Sequence, residues 1–151
     1  KFNLLSILLC TILVGCTTGS VRRFDEIDVQ DKPSVSVLCN HPILCESEAS
    51  YDSEYSALKK NFESAFSSKG FQVVSFEGLD PNMDYLVVLD YGNKYNGNYV
   101  KAALVDYRSK KIVGLMNPGT FTGVSEQRIQ EVVGDLLESP LTQPSEEISI
   151  K

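Results

Sequence analysis

The sequence predicts an α+β fold, with one mixed, mainly antiparallel four- to five-stranded sheet and two amphipathic helices packed on one face. Three observations carry this. Tyr51, Tyr55, Leu58, Phe62, Ala65 and Phe66 recur at intervals of three and four, which places an aromatic and aliphatic stripe on one side of a helix over Tyr51–Ser68. Ile129, Val132, Val133, Leu136 and Leu137 form a second stripe, with Glu126, Gln130, Glu131 and Asp135 off it. Between the two lie short apolar runs separated by turn residues, the pattern of a β meander. Each helix has a single apolar stripe and must bury it, most simply against one face of the sheet.

The chain begins with Lys1 and an apolar run, Phe2 to Val14. That run is too short to cross a hydrocarbon core comfortably, which needs about 20 residues, and it ends in small residues, so 1–15 reads as a cleaved secretory signal. Leu13-Val14-Gly15-Cys16 resembles the bacterial lipobox, whose cysteine is diacylated before cleavage makes it the new amino terminus. The resemblance implies that Cys16 carries the lipid. Each buried methylene contributes ~0.8 kcal/mol, so two or three acyl chains hold a protein at a bilayer essentially permanently. In enterobacterial lipoproteins an aspartate after that cysteine retains the protein at the inner membrane. Thr17 stands there, so by that rule the protein belongs at the outer membrane, facing the periplasm.

The formal net charge of −6 argues against a nucleic-acid surface, which would need clustered Lys and Arg. Arg22-Arg23, the paired arginine of the chain, reads as a solvated linker charge close to the anchor. Of the four cysteines, Cys10 leaves with the signal and Cys16 takes the lipid, so Cys39 and Cys45 remain as a disulfide candidate in an oxidising compartment. Such a bridge would contribute about 2 kcal/mol in the chain-entropy model. The competing reading is a zinc site from Cys39, His41 and Cys45, but these are too few ligands for a closed site, and Pro42 beside His41 suits a turn. No metal or other cofactor is expected.

The elements follow in order. Residues 16–33 are polar and charged, which predicts a lipidated flexible tether with a maximum reach of about 55 Å. A single domain is expected over 34–139, with 140–151 as a flexible tail. Val35 and Val37 alternate with serines in a first strand, Ser34 to Leu38. Asp52 or Ser53 can cap the first helix, and Gly70 can close it in a left-handed conformation. Phe71 to Phe76 returns to strand character, and Tyr85 to Tyr91 is dense in Leu and Val, as a central strand covered on both faces would be. Asn96-Gly97 is the preferred pair for a primed hairpin turn, so Tyr95 and Asn98 to Tyr107 should flank it as a ribbon. A turn around Arg108-Ser109-Lys110-Lys111 leads into Ile112 to Met116, and Asn117-Pro118-Gly119 should interrupt the chain. Ser125 sits at an N-cap position for the last helix, and Pro140 marks its stop.

Phe66-Ser67-Ser68-Lys69-Gly70-Phe71, then Asp84-Tyr85-Leu86-Val87-Val88, Leu104-Val105-Asp106-Tyr107, Lys110-Lys111-Ile112-Val113-Gly114 and the closing helix resemble a group of small envelope lipoproteins of bacteria. That group commonly has a tryptophan where Gly114 stands here. The arrangement is similar in outline to the amino-terminal domain of TolB and to lipoprotein activators of penicillin-binding proteins. The resemblance implies an envelope adaptor and transfers no catalytic residues.

Little in the chain suggests catalysis. The single histidine, His41, lies in a Pro-containing loop, and Gly-x-Ser-x-Gly, Walker and Gly-x-Gly-x-x-Gly patterns are absent. Asp84, Asp90 and Asp106 are the carboxylates with which a small-ligand or cell-wall enzyme would work, but Asp84 and Asp90 fall ~20 Å apart on a regular strand, too far for a catalytic pair. The expected role is therefore non-enzymatic, binding another envelope protein or further copies of the chain, with the membrane engaged through the lipid. Tyr91, Tyr95, Tyr99 and Tyr107 are the partner-binding candidates, because tyrosine joins a large contact area to a polar tip. The alternative is that they pair across strands and only stabilise the ribbon.

Cys16→Ser should release the protein from the membrane fraction, or leave an unprocessed precursor, without unfolding the domain. Fractionation with radiolabelled fatty acid checks this, and continued acylation of the variant would contradict it.

Overall fold

The computed structural model describes residues 21–39, 51–76, 82–94, 97–120 and 124–142. Its strands are β1 (Val21–Arg23), β2 (Ser34–Cys39), β3 (Gln72–Val73), β4 (Tyr85–Lys94), β5 (Gly97–Asp106) and β6 (Lys111–Thr120), and its helices are α1 (Tyr51–Ser68) and α2 (Glu126–Glu138). The strands form one six-stranded sheet in the order β1-β6-β5-β4-β2-β3. The expected α+β class and mixed sheet are observed. The strand number is higher than the four to five expected, and parallel pairing has a larger part: β2 runs parallel to both β3 and β4, while β1/β6, β4/β5 and β5/β6 are antiparallel.

Side chains alternate across a strand. Val35 and Val37 of β2, Tyr85, Val87 and Leu89 of β4, Val100, Ala102 and Leu104 of β5, and Val113 and Met116 of β6 are all buried in one cluster. The same cluster holds Leu58, Phe62, Ala65 and Phe66 of α1 and Ile129, Val132, Val133 and Leu136 of α2. Both helices thus cover one face of the sheet. Fully burying a side chain such as Phe62 or Phe66 contributes ~1.5–3 kcal/mol.

Asp52 and Ser53, expected to cap α1, lie inside it because the helix already includes Tyr51; the other helix ends follow the sequence signals. Gly70 has φ +95°, the N–H of Phe71 donates to the Phe66 carbonyl, and the N–H of Gly70 donates to that of Ser67. This is a Schellman motif, and its usual apolar contact is the edge-to-face pair Phe66–Phe71, with ring centroids 5.2 Å apart. The Ser125 hydroxyl caps α2 by accepting from the Arg128 N–H at 3.1 Å. At its other end, the guanidinium of Arg23 donates to the carbonyls of Leu137 (3.0 Å) and Ser139 (3.3 Å), two acceptors the helix leaves unsatisfied.

That contact exposes an error in the sequence reading. Residues 21–33 belong to the domain and not to a tether: Val21–Arg23 is an edge strand paired with Met116–Gly114, and Ile27 is buried in the core. A three-residue strand and one isolated isoleucine are too short to show a period, and only the unpaired edge of β6 recruits them. The expected tail also begins later, because Leu141 bridges Arg23 and the Thr142 N–H donates to the Arg23 carbonyl at 2.6 Å.

Other boundaries shift for similar reasons. The expected strand Phe71–Phe76 is only Gln72–Val73. Lys94 pairs with Gly97, which puts the hairpin connection at 95–96, one residue before the expected Asn96-Gly97 and outside the described residues. Asn117-Pro118-Gly119 does not end β6; the strand absorbs it as a register shift opposite Val100 and Ala102, where a proline without an N–H costs no ladder bond.

Gly114 lies under α2. A Cβ built there would sit 2.6 Å from Cδ1 of the fully buried Leu136. Gly114→Ala should therefore destabilise the domain by ~1–3 kcal/mol through overpacking, measured as a lower urea midpoint at unchanged slope.

Candidate functional site

Two places on the domain offer themselves. The first is a polar cleft of about 400 Å³ lined by Asp28, Gln30, Asp31, Pro33, Asp84, Tyr85, Asp106 and Arg108. It forms where the loop before β2 meets the start of β4 and the β5–β6 turn. The floor is a clamp between parallel strands: the Ser34 N–H and hydroxyl donate to one Asp84 oxygen at 2.9 and 3.1 Å, and the Asp84 N–H donates back to the Ser34 hydroxyl at 2.9 Å. This reciprocal bond sets the register in which Val35 faces Tyr85. The other Asp84 oxygen accepts from Arg108 at 2.6 Å.

Two further carboxylates of the cleft, Asp106 and Asp28, accept from nearby backbone N–H groups. Asp106 accepts from the N–H groups of Arg108 and Ser109, both at 2.9 Å, and shapes the turn into β6. The Ser109 backbone N–H, with the Ser109 hydroxyl, the Arg108 N–H and the Arg108 charge, holds the Asp106 carboxyl below its ordinary range, against a desolvation that pushes it up. Asp28 accepts from the Gln30 N–H, and its own N–H donates to the Tyr85 hydroxyl at 3.1 Å. Burial raises the Tyr85 pKa, the Asp28 N–H opposes this, and the charges of Asp106, Asp28 and Asp84 add to the rise. Tyr85 therefore stays a neutral phenol at neutral pH. Asp84 and Asp106 do converge, as a sequence reading allowed, but as turn and register acceptors. Asp90 is elsewhere: it pairs with Lys101, five residues along β4 from the Tyr85–Asp106 pair, or ~17 Å.

The second place is the face of the sheet that neither helix covers. Near the cleft end it carries a small core of Met83, Leu86 and Tyr107, with Leu38, Val74, Phe76, Val88 and Val105 packed on it half-buried. Toward β6 it opens, with Ala103 half-buried and Ile112 and Leu115 exposed. Two helices packed on one face imply this open face from the sequence alone, but β4 and β5 are apolar on both sides, so alternation does not tell which of their residues line it.

The tyrosine candidates separate. Tyr107 is only 9% exposed, packs in that second core, and has the Lys110 ammonium 3.2 Å from its ring centroid, so it belongs to the fold and not to an open contact surface. Tyr91 pairs with Val100, and Tyr99 pairs with Gly92 and Thr120, so direct tyrosine-to-tyrosine pairing across the β4–β5 ribbon does not occur between them. Their side chains, and all of Tyr95, lie outside the described residues, as do Cys16, Cys45, His41 and the side chain of Cys39. Among the described residues no group of three or more His, Cys, Asp or Glu side chains could hold a metal ion.

No protein-family model matches the chain, and no curated protein does. Among solved structures it is similar to the PelC dodecamer from Paraburkholderia phytofirmans, at 17% identity over 78% of this chain and 97% of that one, with a TM-score of 0.48. A point variant of the same PelC aligns at 14% identity over 79% of this chain and 96% of that one, with a TM-score of 0.44. A homologue of the neuraminyllactose-binding hemagglutinin from Helicobacter pylori aligns at 10% identity over 76% and 89%, also at 0.44.

Asp106→Ala should cost ~1 kcal/mol at neutral pH by orphaning two turn N–H groups. Because folding lowers this carboxyl's pKa, its stabilisation is present above the unfolded value of about 3.8 and fades as the pH falls below it. Thermal melts of both proteins between pH 7 and pH 2.5 should converge at the acid end.

Proposed function

We propose that this chain is a lipoprotein, anchored through Cys16 at the outer membrane and facing the periplasm, that works as a non-enzymatic adaptor or assembly factor. Its partner is another envelope protein or further copies of itself. The observation that supports this is the helix-free face of the sheet, where Leu38, Val88, Ala103 and Val105 are all half-buried. Half-buried apolar strand residues on an uncovered face suit a protein interface, where a dry centre is surrounded by a polar rim. Asp90 and Lys101, both exposed at the far end of the same strands, supply such a rim.

The cleft supports the same reading in a negative way. Asp84 and Asp106 are committed to backbone, hydroxyl and arginine donors, so they hold the loops that border the face. Tyr107 and Met83 brace the cleft end of the face from within.

Ala103→Glu places a charge in the middle of this face without removing core volume. Capture of the partner from crosslinked envelopes should fall at least ~10-fold, the scale of an interface hot spot, while circular dichroism and melting stay near wild type. Undiminished capture by a folded variant would place the interface elsewhere.

A further inference from the structure

We propose that the β1–β6 edge of the sheet lies directly against the phospholipid surface, so that the anchor holds the domain in one orientation. This rests on the lipidation of Cys16 proposed above. The argument begins with chain length. Val21 already sits in the sheet, which leaves four residues between it and Cys16, five Cα–Cα steps with a contour of at most ~18 Å. The domain cannot stand off the bilayer as a tether running to Pro33 would allow.

Nor can β1 peel away cheaply to lengthen the leash. Arg22 and Arg23 pair with Leu115 and Gly114, and the Phe24 N–H donates to the Val113 carbonyl at 2.8 Å. On its other side β1 holds Leu141 and Thr142, while the Arg23 guanidinium closes the carboxyl end of α2. Releasing β1 would orphan the helix end and the edge of β6 together.

The side chains at this edge have the chemistry of a bilayer interface. Of the four large apolar side chains exposed among the described residues, Ile112 (52%), Leu115 (37%) and Leu141 (52%) are all here, and only Val29 lies elsewhere. Leu115 is the register partner of Arg22, Leu141 bridges Arg23, and Ile112 is three positions from Leu115, ~10 Å along β6. Single exposed leucines are ordinary on a protein surface. What distinguishes these is their concentration where the chain leaves for the anchor, with the exposed Arg22 and Lys111 beside them. A guanidinium and an ammonium can reach lipid phosphates while their stems and the neighbouring apolar groups enter the headgroup layer. The β4–β5 half of the same face then looks sideways along the membrane, free for a protein partner.

The chain contains no tryptophan, so one introduced residue reports its own surroundings. Lipidated full-length protein carrying Leu115→Trp, Leu141→Trp or Gln72→Trp would be reconstituted into phosphatidylcholine vesicles with brominated acyl chains. Gln72 is exposed on β3, the opposite edge of the sheet. Apolar groups of interfacial segments sink ~5–10 Å into the headgroup boundary, so Trp at 115 and 141 should lose about half its emission and Trp at 72 almost none. Adding Arg22→Glu and Ile112→Ser should restore emission at 141 while flotation with the vesicles is unchanged. Equal, weak quenching at all three positions in floating protein overturns the orientation and leaves the anchor standing. Protein that fails to float overturns the anchor, and the orientation with it.

Discussion

Two helices each carry one apolar stripe, and both lay it on the same side of one sheet. Phe62, Phe66, Ile129, Val132 and Leu136 are fully buried there against Val35, Val87, Val100 and Leu104. Burial of this kind is non-directional, so it does not by itself choose strand order or register. It does decide which face is closed. With no third layer among the described residues, the other face has only its own small core at the cleft end, and the remaining apolar positions stay within reach of a partner.

Directional bonds supply what burial cannot. The Ser34–Asp84 clamp holds the parallel pair β2–β4 in register, and the Schellman turn at Gly70, locked by the Phe66–Phe71 contact, aims the chain from α1 into β3 beside β2. Arg23 links the first strand to the end of the last helix. Each is a local contact between segments distant in sequence. The acidic residues that draw attention as possible catalysts are thus part of the framework: a carboxylate is the natural acceptor for several turn N–H groups at once.

The proposed adaptor role and the proposed orientation at the bilayer depend on the same fact, that the sheet has one free face and a pinned first strand. A short leash limits both height and rotation. In these two proposals strands at different distances from β1 meet different surroundings, lipid near β6 and protein near β4, although all belong to one sheet.

The sequence by itself determined the class, both helices and, apart from the start of α1, their ends. The 3.6-residue stripes of α1 and α2, the Ser125 cap and the positive-φ glycine at Gly70 are local signals, and local geometry enforces them wherever the helix is placed. Tertiary structure decided the rest. Val21–Arg23 has too few residues to show a period and becomes a strand only because β6 has an open edge. Which side of β4 faces the helices could not be read from Leu86-Val87-Val88-Leu89, since every position there is apolar. Tyr107 looked like a contact residue on the ribbon until the turn folded it onto Met83 and Leu86. Asp84 meets Ser34 and Arg108 across separations of 50 and 24 residues, contacts that no local pattern encodes.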